Sequence, residues 1–149
     1  MTVPQPFAVR LFALLFCCAV VLAAALAVHS TRGMTFGFAL APDAAATLVR
    51  RIFAIRMAGI GLAVLLMLGV VLAGSRAARG MLLARWLLGM LTSTAFLSGT
   101  GMVGLAPGQG MMPVAASLLQ LGIEAVAILL LYGEDAAGWF APAPLRPRG

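Results

Sequence analysis

Apolar residues in this chain are gathered into four long blocks, at about 11–28, 53–73, 81–103 and 111–131, with polar and basic residues between them. A bilayer core about 30 Å thick takes about 20 helical residues to cross. Backbone groups inside it find no water, so each block has to be a helix. The pattern predicts an all-α integral membrane protein: a four-transmembrane-helix bundle forming one domain over residues 1–149.

The connections differ in length and character. Residues 29–52 form the longest, and Pro42-Asp43 reads as a helix start, with Pro suited to the first turn and Asp to the positive end of the helix dipole. That helix is expected to run through Arg50, Arg51 and Arg56 into the second block, its first turns lying at headgroup level. Residues 74–80 make a tight link with Arg76 and Arg79, and 104–110 an uncharged one with Pro107. The Pro-rich segment 133–149 is expected to be a flexible tail. Ala25-Leu26-Ala27 resembles a signal-peptidase site. An uncleaved first helix is preferred, because the block is longer than a usual signal h-region.

Composition strengthens the membrane reading. Of the 149 residues, 63% are hydrophobic and 9% charged, with a mean hydropathy of +1.10. A soluble domain carries about 25% charged residues. The net charge is +6 and every basic residue is Arg. These arginines lie in short clusters between apolar blocks, as topology signals do, and no nucleic-acid-binding motif accompanies them. Arg10, Arg76, Arg79, Arg85, Arg146 and Arg148 fall on one side; Arg32, Arg50, Arg51 and Arg56 fall on the other. The larger group predicts cytoplasmic N- and C-termini. Abundant Ala, Gly and Arg without Lys has the look of a GC-rich bacterial genome, so the expected location is a bacterial inner membrane.

Glu124 is the one acidic residue deep inside an apolar block. A charge at a helix centre costs about 2.5–3.5 kcal/mol on insertion, so this carboxyl should face protein or water. Ser117, Gln120 and Glu124 are three and four residues apart and share a helix face. In the preceding block Arg85, Gly89, Thr92 and Phe96 share a face, with Ser93 beside it. Counting rise per residue in two antiparallel neighbours predicts a Glu124–Arg85 interaction, direct or through water, completed by Gln120, Thr92 and Ser93. Arg56 enters from the other side, several turns away in depth, and is expected near the outer interface, where an anionic group could meet it. His29 reads as an interfacial polar residue, and the adjacent Cys17 and Cys18 as small apolar helix residues. One His and one vicinal Cys pair supply no haem, zinc or iron–sulfur ligand set, so no cofactor or metal is expected.

Four stretches taken together resemble a broad group of small bacterial four-helix membrane proteins without assigned function, themselves similar to distant relatives of the DoxX-like proteins. They are Ala41-Pro42-Asp43, then Arg56-Met57-Ala58-Gly59-Ile60-Gly61-Leu62, then Ser75-Arg76-Ala77-Ala78-Arg79, and the polar-containing third block. The resemblance covers roughly residues 8–132 and implies a four-helix membrane bundle without an established activity. The leading expectation is a non-enzymatic structural or accessory protein packed around the Glu124 cluster. One alternative is a small proton-coupled transporter using Glu124; another is a membrane subunit of a quinone-linked redox complex. The expected partners are the lipid bilayer and either a second copy or a membrane complex.

Overall fold

The computed structural model describes residues 5–32, 42–99 and 112–141; the side chains of residues 42, 92–99 and 112–114 lie outside that description. Four long helices dominate: α1 (Phe7–Arg32), α2 (Pro42–Ala73), α3 (Arg76–Gly99) and α4 (Met112–Leu130). A short helix α5 (Glu134–Ala137) and a 3-10 turn (Gly138–Phe140) follow. No strand occurs among the described residues.

Two of these helices, α1 and α2, are long and apolar enough to cross a membrane, and α4 with its bent continuation makes a third if the pair is one span. Length and composition thus give the protein a membrane location. The first ten residues of α3 carry Arg76, Arg79 and Arg85, and this helix is not among the candidates. The last residues of the predicted third block, 100–103, lie outside the described residues.

The helices close into a ring, α1 against α2, α2 against α3, α3 against α4, and α4 back against α1. Contacts between helix ends make neighbours antiparallel: Gln5 at the start of α1 reaches the Val71 carbonyl near the end of α2, and Ala8 meets Asp135 beyond the end of α4. The broadest packing is between α1 and α4, not between the consecutive α3 and α4. The reason is visible in the buried positions. Phe12, Phe16 and Ala19 form one face of α1; Glu124, Ala127 and Ile128 form one face of α4, continued by Leu131 just past its end, at the three- and four-residue spacing of a helix. Large apolar side chains point outward elsewhere, among them Leu72 at 74% exposure and Ile55 at 72%.

The α2–α3 link is a two-residue turn. Gly74 adopts φ +55°, a left-handed conformation that a side chain resists, and its N–H donates to the Val70 carbonyl at 3.1 Å. Ser75 then starts α3 by accepting the Ala78 N–H on its Oγ at 3.2 Å.

Residues 134–140 depart from the expected loose tail: they fold back over this end of the bundle, with Ala136 and Phe140 buried. The Trp139 indole N–H donates to the Val70 carbonyl at 2.9 Å, and Arg76 Nε donates to the Phe140 carbonyl at 2.6 Å. The Arg79 guanidinium lies 4.5 Å from the Tyr132 ring centre and 4.6 Å from that of Phe140. An apolar plug carrying aromatic rings, over a bundle end that supplies two arginines, explains why this part of a Pro-rich segment is packed. Residues 142–149 of the expected tail lie outside the described residues.

Candidate functional site

Among the described buried residues of α4 the one polar side chain is Glu124, which is 3% exposed. Its Oε1 is ion-paired with Arg85 Nη2 of α3, and its Oε2 accepts a hydrogen bond from Gln120 Nε2 at 3.0 Å. Gln120 stands one turn before Glu124 on the same helix, so the spacing alone brings the two together. Arg85 Nε and Glu124 Oε1 are both buried without a hydrogen-bond partner among the described residues, so the contact of Oε1 with Arg85 is an ion pair. One residue along, the Trp86 indole N–H donates to the Leu121 carbonyl at 3.1 Å, a second polar tie between α3 and α4.

Of the residues predicted for this cluster, the structure brings Glu124, Gln120 and Arg85 together. The side chains of Thr92 and Ser93 lie outside the described residues.

Arg56, expected near the outer interface away from the Glu124 cluster, borders the same cavity as Arg85 and Gln120. It donates from Nη1 to Ser30 Oγ of α1, and it lines a cavity of about 330 Å³ together with His29, Ser30, Arg85, Ser117 and Gln120. All four long helices contribute to that cavity. Depth counted along helix axes separates Arg56 from Arg85, but long flexible side chains from facing helices can approach the same space. Polar residues on α1 were not anticipated as part of a site, because the helix is apolar almost all round and its sequence does not reveal which face turns inward.

The cavity wall is cationic and hydrogen-bonding, so its chemistry is that of an anion or polar-ligand site. Its described residues form no nucleophile–base pair. Among the described residues no three His, Cys, Asp or Glu side chains gather where a metal ion could be held. Cys17 and Cys18 are free thiols; Cys17 Sγ lies 3.7 Å from Met67 Sδ.

No protein-family model matches this chain, and no curated protein or solved structure matches it either. The DoxX-like resemblance rests on its short motifs alone.

Proposed function

We propose that this chain is a small multi-pass protein of the bacterial inner membrane, with four transmembrane helices and cytoplasmic termini, acting as a structural or accessory component. One observation carries the reading: both oxygens of the Glu124 carboxyl are engaged within the bundle, one by Arg85 and the other by Gln120. A carboxyl held in this way fixes the register of α3 against α4. Interhelical polar contacts in membranes are worth on the order of 1 kcal/mol, and leaving one partner buried alone costs more. The outward Leu and Ile side chains of α2 suit contact with acyl chains, and the arginine bias sets the orientation. A second copy or a membrane complex is the partner such a component serves.

The cavity beside Arg85 favours one other reading, a proton-coupled transporter in which Glu124 exchanges its proton through that space. Proteoliposomes under an imposed pH gradient separate the two. On the structural reading, wild type and Glu124→Gln pass protons at the same background rate, and the variant melts at a lower temperature. A proton flux that disappears in a folded Glu124→Gln protein replaces the structural role with the carrier role.

A further inference from the structure

The chain has four carboxylate side chains against ten arginines. Glu124 is paired with Arg85. Glu134 and Asp135 lie at the capped end, where Asp135 accepts the Ala8 N–H. Asp43 opens α2, 13 residues before Arg56 and about 20 Å away along the helix axis. None of these can neutralise Arg56. Among the described residues its side-chain partner is the Ser30 hydroxyl, a neutral group. Arg56 is exposed on the bundle surface three residues inside the 53–73 apolar block, so its guanidinium is open to an anion at the cavity mouth. No carboxylate side chain of this chain is placed to be that anion.

The cavity supplies the rest of a site. Its volume of about 330 Å³ falls at the lower end of the range in which proteins hold organic ligands. His29, Ser30 and Arg56 stand near the last turn of α1; Ser117, Gln120 and Arg85 stand deeper, toward the Glu124 pair. Ala23, Leu26 and Ile60 give it an apolar wall. A guanidinium offers paired N–H donors that match two oxygens of a phosphoryl group, a fit an ammonium lacks.

We propose that this cavity binds a phosphoryl oxyanion, carried by an anionic phospholipid headgroup or by a free phosphate, with Arg56 as its pairing charge. Ser30 holds the Arg56 guanidinium at the cavity wall, and the apolar wall takes the carbon adjoining the phosphoryl group. The inference goes beyond the structural reading of Glu124. Arg56 takes no part in the Glu124 pair, so either idea can fail while the other stands.

The test uses the full chain in phosphatidylcholine nanodiscs. Phosphatidylglycerol is titrated in and bound lipid is counted by native mass spectrometry; inorganic phosphate is titrated separately and followed by thermal unfolding. Arg56→Gln and Gly59→Phe should each weaken phosphatidylglycerol binding at least about tenfold, with Arg56→Lys in between. Gly59 lines the cavity, and a Cβ there meets no atom within 4 Å, so the larger side chain can grow into that space. Phosphate protecting wild type but not Arg56→Gln, without a preference for phosphatidylglycerol, supports the site and identifies free phosphate as the source. Binding of neither probe by wild type overturns the proposal. So does binding by Arg56→Gln equal to wild type, a comparison that needs no change to any buried residue.

Discussion

At the end of the bundle where α2 turns into α3, arginines are engaged by the protein itself. Arg76 donates to the Phe140 carbonyl, and Arg79 donates to the Leu131 carbonyl at 3.2 Å while its guanidinium lies close to two aromatic rings. Toward the other end, Arg85 is held by Glu124, and Arg56 faces a cavity with a serine as its recorded partner. The same residue type closes one end and leaves an unmatched charge near the other. The difference lies in what each end can offer. A segment that folds back supplies carbonyls and rings; the described cavity walls supply hydroxyls, an amide and an imidazole, and no carboxylate.

The contrast can be broken most strongly at the buried pair. Arg85→Leu should lower stability by about 3 kcal/mol, because it strands the buried Glu124 carboxylate, and Glu124→Leu should cost less, because the Arg85 it leaves unpaired is partly exposed. The double leucine variant should recover most of that loss, measured as a denaturation midpoint in mild detergent. Equal losses in the single and double variants would show that the pair is not what holds α3 to α4. Next in size is the turn. Gly74→Val forces a β-branched residue into the left-handed region, and its Cβ would meet the Trp139 carbonyl at 2.6 Å. A loss of about 2 kcal/mol is expected, with release of the Trp139 cap seen as a red shift in fluorescence. Asp135→Ala removes the carboxylate at the first turn of α1 and should cost about 1 kcal/mol, read as faster hydrogen exchange near Ala8. Arg79→Gln should cost about 1 kcal/mol through its two ring contacts, by thermal unfolding. Arg56→Gln in anion-free detergent should change stability by less than about 0.5 kcal/mol, since it breaks no ion pair within the chain. If Arg56→Gln proves as damaging as Arg79→Gln, the two ends do not differ in how they hold their arginines.

Much of the backbone was legible because membrane helices declare themselves by composition. The block at 53–73 ends where α2 ends, and Pro42-Asp43 marks where α2 begins. The Ser117, Gln120 and Glu124 spacing identified a polar stripe on α4, and Arg85 lay within counting distance of it. Rotation about the helix axis is what the pattern could not supply. In a uniformly apolar helix such as α1, no polar stripe reveals the inward face, so His29 and Ser30 gave no sign that they border the same cavity as Arg56. The fold-back of 134–140 was hidden for another reason. Its contacts are to residues far away in sequence, such as Trp139 to Val70, and a short Pro-flanked segment carries no periodicity to announce them.

The hydrogen bond from the Ala8 amide to the Asp135 carboxylate spans 127 positions at 2.9 Å. A ribosome adding about 5–20 residues per second needs on the order of ten seconds to get from one to the other. For that time the first helix waits with its leading amide unsatisfied by Asp135, so this contact forms only after all four long helices have been made. A chain clipped before Asp135 would hold every long helix yet lack this clasp between the start of α1 and the segment beyond α4.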